Sequence, residues 1–436
     1  MKQKHSKNVI IIFLIFFATA SAQTSKILSL DQAVSMAISN SNLLKSDSLN
    51  LQMALSKLKQ SQNAQLPQIQ VNASYTRLSD NITPFMVAFP TGNVVLNPQI
   101  LNQFNNSLQI KQLLWAGGKL NNINKINDLE KESLTFDNQK SKTDVIYNIT
   151  NLYYNLFALN QSKKIIEANI DLLKNQKKDA DNLVKQGILL ENESLKIDLA
   201  ITNLESNLSE IINNQNLLKT NMNILTGLNS QFEIAEILPK NDSENINYEQ
   251  CLEMAFKNRT ELKSLAVREK QSNLAQKVAF SNYLPTLSAI ASLNYDQPNM
   301  RVFPNQEQLT STWFAGVAIN WNLSDLYINK EKIKENKLSV SKINTAINQT
   351  KEGIAIEINA DFTNFLTAKQ KIENATKSVT QATENFRVEQ NKFKANTASA
   401  TDFLNANTLL LQSKINLTTA ISNAELAYKK LQKTIN

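Results

Sequence analysis

Residues 119–186 contain neither glycine nor proline. At a rise of 1.5 Å per residue, one helix over that stretch would reach roughly 100 Å, against about a dozen residues for a usual globular helix. No compact domain is that long. Glycine and proline are scarce throughout, with 7 and 8 in 436 residues. Pro84, Pro90, Gly92 and Pro98 share one loop region, Pro298 and Pro304 another, and the rest stand singly or in pairs between uninterrupted runs.

These runs carry heptad spacing. Ala406, Leu410, Ser413, Leu417, Ala420, Ala424, Ala427 and Leu431 follow one another by alternating steps of four and three, which is the seam of a coiled coil. The same register lies 209 residues earlier in Ile197, Ile201, Leu204, Leu208, Ile211, Gln215, Leu218 and Met222. Val145, Ile149, Leu152, Leu156 and Leu159 continue the habit through Ile166, Ile170 and Leu173. Further upstream the repeat distance is 218: LSLDQAVSMAISNSNL (28–43) and INYEQCLEMAFKNRTEL (246–262) share Gln-x-x-x-Met-Ala, and Leu66-Pro67 matches Leu284-Pro285. The chain therefore reads as an internal duplication. The nine-residue difference falls where loop 79–103 is longer than loop 297–309.

Each Leu-Pro opens a strand-like phrase. Ile69, Val71, Ala73 and Tyr75 alternate with Gln68, Gln70, Asn72, Ser74 and Thr76, and Phe104, Asn106, Leu108 and Ile110 alternate with Asn105, Ser107, Gln109 and Lys111. In the second half Leu287 to Tyr295 and Trp313 to Trp321 alternate likewise. About ten residues of apolar/polar alternation is what a tilted strand needs to cross a bilayer. Tyr75, Trp115, Tyr295, Trp313 and Trp321 lie in or at the ends of these strands, as membrane-interface aromatics do. The alternative for the same pattern is a soluble hairpin pair packed on a helix bundle. Four strands cannot close a barrel, because about eight is the smallest closed set, and an open edge in lipid leaves backbone groups unpaired. Several copies must pool their hairpins.

Composition excludes other classes. Lys2, Lys4 and Lys7 precede the apolar run Val9–Ala18, and Ala20-Ser21-Ala22 has the small-x-small pattern of a signal-peptidase site. Residues 1–22 are thus an export signal, and no later stretch is apolar enough for a transmembrane helix. Removing those three lysines leaves +5 of the net charge of +8, with no basic cluster interleaved with aromatics, so nucleic acid is not an expected partner. The single histidine, His5, leaves with the signal. One cysteine, Cys251, and no histidine cannot build a histidine triad, a histidine base or a usual zinc site. Gly117-Gly118-Lys119 lacks the upstream glycine of a phosphate loop. No catalytic residue, cofactor or metal is expected; a carboxylate-based hydrolase is a remote enzyme reading, with no Asp-Glu pair singled out.

The ordered set of the duplicated Leu-Pro before a strand, LLWAGGKL (113–120) at a strand-to-helix turn, and the two hairpin tips LVKQGILLENESLKIDLAITNLE and KFKANTASATDFLNANTLLLQSK resembles the TolC-like outer-membrane efflux family over essentially the whole mature chain. The fold this implies is mainly α with a small membrane β part. Long coiled-coil helical hairpins form an α-barrel, and four β-strands per chain contribute to a trimeric twelve-stranded transmembrane β-barrel. The implied division is 1–22 signal peptide, 23–240 first repeat (strand hairpin 68–113, tip near 187–192) and 241–436 second repeat (strand hairpin 286–322, tip near 396–402). The implied role is the outer-membrane exit duct of a tripartite efflux or type I secretion system, passing drugs, dyes, metal ions or polypeptides without being an enzyme. Its partners would be two further copies of itself, a periplasmic adaptor, an inner-membrane pump and outer-membrane lipid.

By the same resemblance the adaptor would dock on Gly187, Ile188, Leu189 and Leu190, and on Asn396, Thr397, Ala398, Ser399, Ala400, Thr401 and Asp402. Gly187 suits a helix end with positive φ, and Asn396 is a tolerable substitute; Thr401 or Asp402 could cap the helix that follows. Glu384, Arg387 and Glu389 are the periplasmic gate candidates, with a solvated helix face as their plain alternative. Ser324-Asp325 stands where the first repeat has its glycine pair, so the second strand-to-helix turn needs another geometry. A periplasmic coiled-coil scaffold or adhesin without a pore is the competing function.

Overall fold

The computed structural model describes residues 26–229, 231–236 and 247–436. The export signal assigned to 1–22 lies outside the described residues. In chain order the elements are β1 (Lys26–Leu28), α1 (Leu30–Asn40), α2 (Asn42–Asn63), β2 (Gln68–Arg77), β3 (Phe85–Phe89), β4 (Gly92–Asn97), β5 (Asn102–Trp115), α3 (Lys119–Lys185), α4 (Glu191–Thr226), β6 (Phe232–Ile234), α5 (Tyr248–Asn258), α6 (Thr260–Ser281), β7 (Thr286–Gln297), β8 (Thr310–Asn320), α7 (Asp325–Lys394) and α8 (Ala400–Ile435). Leu30 and Tyr248 open equivalent helices 218 residues apart, and Glu191 and Ala400 open another pair 209 apart.

Local chemistry fixes where these elements start and stop. At α1, Ser29 Oγ accepts the Gln32 N–H at 3.3 Å and the Gln32 side chain accepts the Ser29 N–H at 3.2 Å, a reciprocal cap. Pro67 and Pro285 follow the ends of α2 and α6, where a proline biases the preceding residue to extended backbone. Between β5 and α3 the chain turns on Gly117 (φ 60°) and Gly118 (φ 76°), a left-handed pair open to glycine at little cost. The second repeat turns differently: Ser324 is right-handed (φ −62°), and the Asn322 side chain accepts the Ser324 N–H at 3.3 Å and donates to Asp325 at 3.1 Å. A side-chain clamp replaces backbone freedom.

Two long helices organise everything else. α3 has 67 residues and α7 has 70. Along α3 pack α2 and α6 toward the sheet end and α4 toward the far end, while α8 lies against both α7 and α3. The seams face inward as their spacing requires: Ile197, Ile201, Met222, Ala406, Leu410, Ala420, Ala424 and Leu431 are buried, with Leu204, Leu208, Ile211 and Leu417 half-buried. Gln215, the polar break in the α4 seam, is buried and donates to Asn160 Oδ1 at 2.7 Å. Toward the tips, Phe393 stacks on Phe403 with ring centroids 5.1 Å apart, and Phe386 lies 5.8 Å from Phe403. Near the middle, Arg259 Nη1 sits 3.1 Å from Glu357, Lys430 Nζ 3.0 Å from the same carboxylate, and Lys433 Nζ 2.6 Å from Asp144. This charged chain ties α3, α7, α8 and the α5–α6 junction together.

Two small strand pairs have no counterpart in the alternation pattern. β1 and β6 pair in parallel for three residues each, and Tyr153 donates its hydroxyl to Leu28 O at 2.9 Å to hold them on α3. The loop expected over 79–103 contains the antiparallel hairpin β3–β4. Three-residue strands are too short to show a period, and β3 is exposed on both faces, so neither pattern marks them. Among the described residues no helix is long and apolar enough to cross a membrane.

Candidate conduit, docking tips and gate

The four longer strands form one antiparallel sheet in the order β2-β5-β7-β8. Register places Val71, Leu108, Leu293 and Trp313 in one row across all four, and Ile69, Ile110, Ala291 and Ala315 in the row beside it. This apolar face is bare: Val71 is 74% exposed, Leu293 48% and Trp313 77%. Among the described residues nothing covers it, so the soluble-hairpin alternative lacks its core there. The other face is polar and internally bonded, with Asn72 donating to Ser107 Oγ at 3.3 Å and Ser292 to Asn294 Oδ1 at 3.0 Å. Among the described residues β2 and β8 each lack a neighbour on their outer side.

Of the interface aromatics, Trp115 and Trp321 lie at the helix end of the sheet, where Trp321 Nε1 donates to Tyr283 O at 3.1 Å. Tyr75 lies at the opposite end, its hydroxyl donating to Asn102 Oδ1 at 3.0 Å and its ring 5.0 Å from Phe104. Tyr295 is cross-strand from Asn106 and Ser311, and Trp313 sits one row inward of it.

At the far end of the helices the two tips are built alike and joined. α3 ends with Gly187 (φ 70°), whose N–H reaches Val184 O at 2.9 Å while Ile188 N–H reaches Leu183 O at 2.9 Å. α7 ends with Asn396 (φ 56°), with Asn396 N–H on Phe393 O at 3.0 Å and Thr397 N–H on Lys392 O at 2.9 Å. Both are left-handed helix caps. The cap of α8 is Ser399, not Thr401 or Asp402: Ser399 Oγ accepts the Asp402 N–H at 3.2 Å, and Asp402 accepts the Ser399 N–H at 3.3 Å. Glu193, in the first turn of α4, accepts the Ala400 N–H across the gap at 2.7 Å. Lys196 joins the same pair, 2.8 Å from Glu193 and 3.1 Å from Thr401 Oγ1. The Lys196 hydrogen bond holds the Glu193 carboxyl below its ordinary range against the opposing effect of burial, and the Ala400 N–H adds a smaller lowering contribution. Ser399 does the same for Asp402.

Of the docking residues, Ile188 and Leu190 are exposed apolar side chains, and Gly187, Asn396, Thr397, Ser399, Thr401 and Asp402 are exposed. Leu189 and Ala398 are half-buried. Ala400 is the correction: its side chain is fully buried, in the cluster with Phe393 and Phe403, and is out of a partner's reach. Sequence spacing missed Glu193 and Lys196 because their roles lie across 207 and 205 residues of chain. The gate candidates pair only along α7. Arg387 grips Glu384 through two bonds of 2.7 and 2.8 Å, and Lys392 meets Glu389 at 2.8 Å. Within one chain these are helix-face pairs, and among the described residues no bond ties them to another helix.

Residues 251–436 match the outer membrane efflux protein family model. The whole chain shares its fold with solved outer-membrane channels at low identity. OprN is 14% identical with a TM-score of 0.77, covering 93% of this chain and 89% of that one. CmeC of Campylobacter jejuni is 17% identical at 0.74, covering 93% and 85%. VceC of Vibrio cholerae is 16% identical at 0.75, covering 93% and 95%. A sequence search of curated proteins finds no match.

Proposed function

We propose that three copies of this chain close a twelve-stranded barrel and serve as the exit duct of a tripartite efflux or type I secretion system. The observation that carries this reading is the four-stranded sheet with one uncovered apolar face and two unpaired edges, β2 and β8. Edges unpaired in hydrocarbon cost several kcal/mol per backbone group, so the sheet must be closed by other copies. The competing scaffold reading needs Tyr75, Leu293 and Trp313 tucked away, and their exposure weighs against it.

The duct works passively. An adaptor engages the exposed part of the two tips, Gly187–Leu190 and residues 396–402 without Ala400. The coiled-coil helices shift at that end and widen a ring otherwise shut, with Glu384, Arg387 and Glu389 re-pairing between copies as the gate. Pump and adaptor supply energy and selectivity. In this reading the chain divides into the export signal 1–22 and the repeats 23–240 and 241–436. The test is a deletion strain scored for drug and dye accumulation, alongside detergent extraction of the protein from the outer membrane. Raised accumulation and an extracted trimer support the proposal; a water-soluble single chain overturns it.

A further inference from the structure

We infer that Lys111 forms a ring of fixed positive charge inside the β-barrel and makes that part of the duct prefer anionic solutes. The inference rests on the trimeric barrel proposed above, which turns the polar face of the sheet toward water. On that face the rows run from Gln68, Lys111, Ile290 and Gly316 at the helix end to Ser74, Asn105, Asp296 and Thr310 at the other. Reading every residue of that face from the registers, its only ionisable side chains are Lys111 and Asp296. All the rest are amide, hydroxyl, small or apolar.

The two charges differ in their surroundings. Asp296 Oδ1 accepts the Asn106 N–H at 3.0 Å. Beside it Arg301 donates to Thr312 Oγ1 at 3.2 Å, and its guanidinium carbon lies 5.4 Å from the centre of the Phe314 ring, so a cation leans on the same face. Opposite signs share that end. Lys111 is exposed, and among the described residues no carboxylate lies within ion-pair distance of it. Its cross-strand neighbours are Gln68 and Ile290. Three-fold closure therefore brings three uncompensated ammonium groups to one level of the bore. A ring of lysines in a narrow, low-dielectric wall raises the local concentration of anions and lowers that of cations.

The test is the reversal potential of the full-length trimer in planar bilayers under a KCl gradient, for wild type, Lys111→Gln, Lys111→Glu and Lys111→Arg. The chloride-to-potassium permeability ratio is expected to fall in Lys111→Gln, to fall further in Lys111→Glu, and to stay at the wild-type value in Lys111→Arg. The difference should shrink as salt rises, because the Debye length drops from about 30 Å at 0.01 M to about 3 Å at 1 M. Equal ratios in all four conducting proteins would overturn the inference while leaving the duct intact, as would a ratio that moves with Asp296→Asn and not with Lys111. With the tip gate opened by Glu384→Gln and Arg387→Gln in every protein compared, absence of any conductance would instead overturn the proposed function on which it stands.

Discussion

Val71 and Asn72 are neighbours in sequence and face opposite sides of the sheet, which makes them a matched pair. Val71 stands in the apolar row with Leu108, Leu293 and Trp313, near the middle of the strip from Ile69 to Tyr75. An arginine on the lipid face near the bilayer midplane costs about 2–4 kcal/mol. The proposed trimer carries three, so Val71→Arg would cost that barrel roughly 6–12 kcal/mol, and even the low end is more than about ten-thousandfold in an equilibrium constant. Asn72→Arg places the same group beside Ser107 and Asn294 on the polar face, where a surface substitution is worth about 0.5 kcal/mol or less. Heat-resistant trimer recovered from the outer-membrane fraction is the readout. Val71→Arg is expected to abolish it and Asn72→Arg to leave it near wild type. Equal loss in both, or normal assembly of Val71→Arg, would refute the assignment of faces.

Three further outcomes are expected. A Cβ on Gly117 would lie 2.8 Å from Leu284 Cδ1 at φ +60°, whereas one on Gly118 (φ +76°) meets only Asn122 Nδ2 at an ordinary 3.8 Å, so Gly117→Ala should cost about 2–4 kcal/mol and Gly118→Ala about 1 kcal/mol in thermal or denaturant melts. Lys430→Met leaves Glu357 and Asp361 without their shared cation; with Glu357 34% exposed, screening brings the expected loss to about 1–3 kcal/mol, below the buried-pair range, measured by the same melts. At the tips the folded pKa values of Glu193 and Asp402 are depressed, so their contribution is complete above the ordinary carboxylate range and is lost as pH falls through the lower folded values. Protection of the Ala400 amide against hydrogen exchange, corrected for intrinsic rate, should hold at pH 7 and weaken as pH falls below the ordinary carboxylate range. Glu193→Gln should remove that pH dependence, and identical protection in the wild type and Glu193→Gln at every acidic pH would count against the clasp.

Periodicity alone carried the large-scale form of this protein. Heptad steps marked which side of α4 and α8 is buried, the absence of Gly and Pro over 119–186 matched the extent of α3, and alternation separated Val71 from Asn72. These are one-dimensional signals, because each depends on residues a few positions apart along one element. Gly187 and Asn396 were legible for the same reason, as left-handed ends of helices whose length was already apparent.

What the tertiary structure alone decided are the relations between elements distant in sequence. Glu193 meets the first turn of α8, Tyr153 pins a three-residue parallel strand pair, and Ala400 disappears under Phe393 and Phe403. No local pattern encodes them, because each partner is selected by how four helices pack rather than by spacing along one. The isolation of Lys111 belongs to the same group: its sign is in the sequence, but that no carboxylate answers it follows from the register of β5 against β2 and β7.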